Sequence, residues 1–329
     1  MPEKRRLPAE WEPQAALWLS WPVSSHIWPG KSEAIAEKFA AIAATVSRFQ
    51  PVHINADIEA HVAIRSHLIN AKAVWDNIEL HDHPTNDVWC RDHGPIFVRD
   101  RDTGLLVTDW VFNAWGGKFE PWDLDDCVPR LVADSLDLKH ESQRLILEGG
   151  AIEVNGQGVM ITTDPVLLNP NRNSGTSKED YARVFQEVFG IHEIIWLPIE
   201  LPNDDTDGHI DNLARFVAED RVVCVVGDQV PELVDNRAIL KKRFPDLVEL
   251  PLPDPVLDKD GNELPASYAN FVIINGAVLV PTFGQTTKDN RCLEQLGECF
   301  PDREIIGIDS RLLLEEGGAL HCISMNQPA

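Results

Sequence analysis

The 329-residue chain carries 53 acidic side chains against 29 basic ones, a formal net charge of −24. Such a surface repels nucleic acid and phosphate-rich partners and draws cationic small molecules. Hydrophobic residues make up 43%, enough for a sizeable core, yet no run approaches the roughly 18 apolar residues that span a bilayer, so neither nucleic acid nor membrane is an expected partner.

Met1 to Arg6 is charged and leads into Pro8, Glu10 and Glu12. A signal peptide needs an apolar segment there, so a cytoplasmic address is expected. The six Cys show no CxxC pair and no close even spacing. That argues against a disulfide framework and against a thiolate zinc site. Gln14 to Pro22 reads as a buried strand, with Trp11, Trp18 and Trp21 around it. Gly30-Lys31-Ser32 is similar to the end of a phosphate-binding loop, but Ser25 stands where a Gly is required and Pro29 intrudes. A loop and helix start fits better, with a helix from about Ser32 to Phe49, apolar at Ile35, Phe39, Ile42, Ala43 and Val46. Val52 to Ala56 predicts a strand, and Asp57 to Ala71 a second helix. His81 and His83, at i and i+2, project to one strand face, so with His93 they offer a divalent metal geometry. A loop before Pro84 is the plainer reading, and no metal is expected.

From there a plan recurs. A polar or Gly-containing lead-in runs into a strand, a turn and a second strand. Arg91-Asp92-His93-Gly94-Pro95 leads into 96–98 and 105–111. Glu148-Gly149-Gly150 leads into 151–154 and 159–162, with Asn155-Gly156 between them. Asp207-Gly208-His209-Ile210-Asp211 leads into 213–217 and 222–226. Ala269-Asn270 leads into 271–274 and 278–281, across Asn275-Gly276. Gly317-Gly318 leads into a predicted strand over 319–323. Asn-Gly between apolar runs is a strong hairpin signal. Helices are expected over 180–189, 232–244 and 288–300, the last placing Cys292 and Cys299 in a core. A period of roughly sixty residues means a repeat architecture. Five hairpin-plus-helix units predict one α/β domain over 1–329, closed as a ring or propeller, with the lead-ins gathered at one end of its axis.

Gathered, the lead-ins bring Asp92, His93, Glu148, His209, Asp211, Asn270, His321 and Cys322 together. A thiol beside a His suits covalent catalysis. Several carboxylates in one pocket repel unless a cation lies between them, and a planar guanidinium satisfies them best. The expected reaction follows. Asp92 and Asp211 hold a guanidinium, Cys322 attacks its carbon, and His209 protonates the departing nitrogen. Ammonia leaves, and His209 then activates water to hydrolyse the S-alkylthiouronium to a ureido product. These steps need no cofactor. His321 points away from Cys322 by strand alternation and is given no role.

The chain resembles the family of agmatine deiminases and bacterial peptidylarginine deiminases. The matching stretches are 85–95, 112–117, Leu147-Glu148-Gly149-Gly150, Leu168-Asn169-Pro170-Asn171-Arg172-Asn173, 205–212 and 317–322, in the family's order. The resemblance implies a five-bladed α/β propeller of the pentein type. Carried over position by position, Cys322 matches the nucleophile, His209 the acid/base, and Asp92 and Asp211 the guanidinium clamp. Glu148 matches the carboxylate partner of the His and the substrate. Trp89 and Asp205 match positions near a distal amine, and Trp115 lies in a loop near the pocket. Ala319 and Leu320 stand where Asn and Ile are usual, and Asp207 replaces a common Asn. The implied activity is hydrolysis of agmatine to N-carbamoylputrescine and ammonia. Arginine, peptidyl-arginine, amidino transfer and a non-catalytic guanidine-binding role are the alternatives. A homodimer is the expected assembly.

Overall fold

The structure, a computed structural model, describes residues 4–24 and 26–329. Met1 to Glu3 of the charged N-terminal stretch, and Ser25 of the phosphate-loop comparison, lie outside the described residues. The fold is mixed α/β, and five sheets share one plan. Ile96–Asp100 runs antiparallel to Gly104–Val111, which is parallel to Lys139–Ile146. The same order joins Glu153–Val154, Val159–Thr163 and Glu193–Leu197. It recurs in Ala214–Ala218, Arg221–Val226 and Val248–Pro251, and again in Val272–Ile274, Ala277–Thr282 and Glu304–Asp309. In the fifth sheet Ser324–Pro328 lies antiparallel to Gln14–Ser20, which is parallel to Val52–Ala56 and through it to Ile78–Asp82.

Each parallel step needs a crossover, and a helix supplies it. Val128–Ser135, Lys178–Phe189, Leu233–Arg243, Thr286–Cys299, Ser32–Ser47 and His61–Asn70 are those helices. Lys178–Phe189 shows how the sequence specifies one. Ser177 and Asp180 form a capping box, and Gly190, at φ 71°, closes the other end in the left-handed conformation. Tyr181, Phe185, Val188 and Phe189 form its buried stripe. Phe185 and Phe189 pack against Trp110, and burial of each ring stabilises by about 1.5–3 kcal/mol. Cys292 is buried beside Leu296 and Phe271, and Cys299 packs at the edge of that cluster.

Two features depart from the sequence pattern. Ala151, expected to open a strand, instead ends the helical turn Gly149–Ala151, and the strand starts at Glu153; Cys90–His93 and Ile210–Asn212 are short helical lead-ins of the same kind. The strand expected over 319–323 is absent; that segment is a turn, and the strand is Ser324–Pro328. Asn270 explains the shift. Its Oδ1 accepts the backbone N–H groups of His321 at 2.9 Å and Cys322 at 3.4 Å, diverting them from any ladder. Among the described residues no helix is long and apolar enough to cross a membrane.

Candidate active site

The lead-ins meet. Gly150 donates its backbone N–H to Asp92 Oδ1 at 3.1 Å. Thr163 donates its hydroxyl to the Gly208 carbonyl at 2.6 Å. Ser267 donates to the Asn212 carbonyl at 2.7 Å, and His321 N–H to Asn270. Arg91 N–H then donates to the Cys322 carbonyl at 3.0 Å, so contacts run from each unit to the next and back to the first.

These turns set five side chains close together. Cys322 Sγ lies 3.8 Å from Asp211 Oδ2 and accepts Asn270 Nδ2–H at 3.1 Å. His209 Nδ1 is 3.6 Å from Asp92 Oδ1, and its Nε2 is 3.9 Å from Glu148 Oε2. Trp115 Nε1–H donates to Asp92 Oδ2 at 3.0 Å. Glu148, His209 and Asp211 are fully buried. Yet both nitrogens of His209, Asp211 Oδ1 and Glu148 Oε2 have no hydrogen-bond partner among the described residues. Buried polar atoms are normally paired, so four unpaired ones together mark a place made for a ligand.

Electrostatics follow from that crowding. Burial pushes the Cys322 thiol well above its usual range, and Asp211 and Asp92 push it further. Burial raises Asp92 to about 6 against the pull of His209, with Asp211 and Glu148 adding repulsion. Burial would lower His209, but Asp92, Glu148 and Asp211 overcome it and raise the imidazole to about 9. Burial opposes ionisation of Glu148 and Asp211 as well. His209 and Arg172 still hold Glu148 low, and His321 does so for Asp211.

A cavity of about 400 Å³ opens onto this cluster. Asp92 and Cys322 face it, with Trp89, Trp115, Asp205, Asp87 and Glu316. Six carboxylates line it against one Lys, Lys118. That Lys is engaged: it donates to the Asp205 carbonyl at 2.6 Å and to Asp207 Oδ1 at 2.8 Å. Burial raises Asp87 to about 7, despite its bond to the Val88 N–H, and Glu316 and Asp92 add to the rise.

Two glycines are required by contact. A Cβ at Gly318 would lie 2.2 Å from the Trp89 ring. A Cβ at Gly150 would lie 2.4 Å from His209 Nδ1 and 2.7 Å from Asp92 Oδ1. Gly150→Ala therefore displaces His209, and we expect kcat/KM to fall about 100-fold with the thermal midpoint nearly unchanged. Steady-state kinetics beside a melting curve check this; unaltered kinetics would remove Gly150 from the argument.

Sequence patterning missed three contributors. His321 was set aside by alternation, but no strand exists there. Its Nδ1 meets Asp211 Oδ2 at 2.7 Å and its Nε2 meets Glu10 Oε2 at 2.8 Å. Glu10 is buried and also accepts Arg215 at 2.9 Å and the Ile273 N–H at 2.7 Å. Arg172 Nε donates to Glu148 Oε1 at 2.7 Å, and its Nη1 to Asp207 Oδ2 at 2.6 Å. Asp207 thus sits between two cations, Arg172 and Lys118, which suits an Asp better than an Asn. Arg172 lies in the stretch Leu168-Asn169-Pro170-Asn171-Arg172-Asn173; nothing local marks Glu10.

The metal set of His81, His83 and His93 is not assembled. His93 turns to Ser20 at 2.8 Å. Both nitrogens of His83 are taken, by Asn55 at 2.9 Å and Ser135 at 2.7 Å. His81 instead meets His53, on the neighbouring strand.

Comparison with known proteins gives consistent likenesses. A family model described as Porphyromonas-type peptidyl-arginine deiminase matches residues 6–328. The agmatine deiminase of Stutzerimonas stutzeri is 35% identical, over 98% of this chain and 95% of its own. A solved C. jejuni agmatine deiminase, carrying a Cys-to-Ser substitution and described with substrate bound, superposes with a TM-score of 0.91. It is 34% identical, over 98% of this chain and 96% of that one. The agmatine deiminase of Enterococcus faecalis superposes with a TM-score of 0.91 at 29% identity, over 99% and 96%.

Proposed function

The chain belongs to the Porphyromonas-type peptidyl-arginine deiminase family, and from that premise we propose that it is an agmatine deiminase, a hydrolase acting on the C–N bond of a linear amidine. One observation carries this reading: unpaired buried atoms of His209, Glu148 and Asp211 surround a thiol at the end of a carboxylate-lined cavity. A guanidinium supplies N–H donors for the carboxylates and an electrophilic carbon for the sulfur.

The steps balance with protein groups and water alone. Asp92 and Asp211 take the guanidinium edges and draw electrons from its carbon. As the cation binds, Cys322 releases its proton to water in the cavity, and Sγ bonds to the carbon. The C–N bond breaks as His209 protonates the leaving nitrogen, and ammonia departs. Neutral His209 then takes a proton from water, whose oxygen bonds to the carbon. The C–S bond breaks, the sulfur leaves as thiolate, and the adduct's O–H proton passes to water as the carbonyl forms, leaving N-carbamoylputrescine. Glu148 holds the imidazole in place and is itself held by Arg172.

The distal wall supports agmatine over arginine. Agmatine ends in an ammonium, which Asp205, Asp87, Glu316 and the Trp89 ring suit. Arginine adds a carboxylate, which this wall repels, since Lys118 is already engaged. Ammonia release from agmatine, arginine and an arginyl peptide tests the reading, with Cys322→Ser as control. Agmatine is expected to give the highest kcat/KM. Faster turnover of arginine or peptide would overturn the substrate; no turnover above the control would overturn the reaction.

The same reading takes 1–329 as one domain, a closed five-bladed α/β propeller. Its support is the common strand plan and the contacts running from unit to unit. All six cysteines are free, which supports a reducing, cytoplasmic setting.

A further inference from the structure

A second cluster of donors lies away from the catalytic turns, on the sheet that carries Gln14–Ser20. His53 and Glu79 are register partners on the parallel strands Val52–Ala56 and Ile78–Asp82. Parallel partners project to the same face, and His81, two residues beyond Glu79, shares it. His53 Nδ1 and His81 Nε2 are hydrogen-bonded to each other at 2.7 Å, a bond between two ligand atoms that a cation would replace. The Glu79 carboxylate reaches 3.8 Å from the first and 3.7 Å from the second. One ligand atom from each residue falls within 4.8 Å of the others.

The surroundings fix the two rings. Trp18 packs on both, at 4.6 Å from His53 and 4.8 Å from His81. His83 stacks behind His81 at 5.1 Å, with its own nitrogens bonded elsewhere. The rings are buried, whereas the Glu79 side chain is 63% exposed, so the point between them opens to water.

We propose that His53, Glu79 and His81 bind a divalent first-row transition cation of the zinc class, with water in the remaining position. Tetrahedral ligands about 2.0–2.1 Å from zinc stand about 3.3 Å apart. The two nitrogens must separate by about 0.6 Å, and one carboxylate oxygen must close in on both by about 0.5 Å or more. A long exposed Glu side chain moves that far without disturbing the strand. Two imidazoles with one carboxylate favour zinc, cobalt or nickel over calcium or magnesium, which prefer all-oxygen shells. The ion pins Ile78–Asp82, the outermost strand of its sheet, to its neighbour. The site does not touch Cys322, so it stands apart from the deiminase reading.

Cobalt titration of the Cys322→Ala protein, after chelator treatment, tests this directly. One cobalt per chain is expected, with visible d–d absorption, no thiolate charge-transfer band, and displacement by zinc. Glu79→Gln, at an exposed position, is expected to weaken cobalt binding at least about tenfold, and His81→Ala to abolish the d–d spectrum. The same substitutions in the protein with Cys322 intact should leave deimination unchanged, which serves as the folding control. Absence of a stoichiometric site, a thiolate band, or binding unaffected by Glu79→Gln overturns the proposal. Should His81→Ala fail to fold, the Glu79→Gln result decides.

Discussion

Cys322→Ala is expected to lower ammonia release from agmatine about ten-thousand-fold or more, to the level of the uncatalysed background. That corresponds to about 5.5 kcal/mol of barrier, and no neighbour can supply it. Glu148, Asp92 and Asp211 are poor nucleophiles toward a cation they already hold. His209 is raised to about 9 and is protonated at neutral pH, so it has no lone pair to spare in the first step. Agmatine binding should survive, because the clamp and the cavity do not depend on the sulfur. Calorimetry on the variant checks that half of the claim, and an ammonia assay checks the other. More than about one per cent of wild-type turnover would exclude Cys322 as the nucleophile.

His209→Gln is expected to cost about a thousandfold, at the strong end for a general acid–base group. The pH profile separates a chemical role from a packing one. Asp92, raised to about 6, must be ionised to hold the guanidinium, so kcat/KM should rise as pH climbs through that value. His209 must carry its proton to release ammonia, so kcat/KM should fall as pH passes about 9. The two groups stand 3.6 Å apart, so both limbs belong to the cluster rather than to single residues. In His209→Gln the residual activity should lose the fall near 9 and keep an acid limb moved to higher pH, because the imidazolium no longer pulls Asp92 down. An unchanged alkaline limb would assign it to another group.

Local signals made much of this fold legible. Asn155-Gly156 and Asn275-Gly276 sit between paired strands, where Gly156 at φ 71° and Gly276 at φ 73° take the left-handed conformation. Their spacing, with the glycine-led turns, carried the repeat. The gathering of Asp92, Glu148, His209, Asp211 and Cys322 followed from it. What stayed hidden depends on contacts between distant segments. His321 was misjudged because alternation presumes a strand, and Asn270, on another unit, had captured the amides that a strand needs. Glu10 gives no local sign, since its partners Arg91, Arg215 and His321 come from three different units. His81 and His83 looked like a pair at i and i+2. The partner that meets His81 was set instead by the register of a neighbouring strand.

Ser324 pairs with Leu19, about three hundred residues away, and Cys322 stands two residues before that pairing. Contacts of such separation are the slowest to form, because loop entropy must be met before they give anything back. A partly folded chain with four sheets complete thus holds an ordinary cysteine on an unfastened segment. In the mechanism proposed above, its thiol becomes a nucleophile only in the fully joined molecule. Catalysis is in this sense a readout of completed folding, and a population of folding intermediates contributes nothing to turnover.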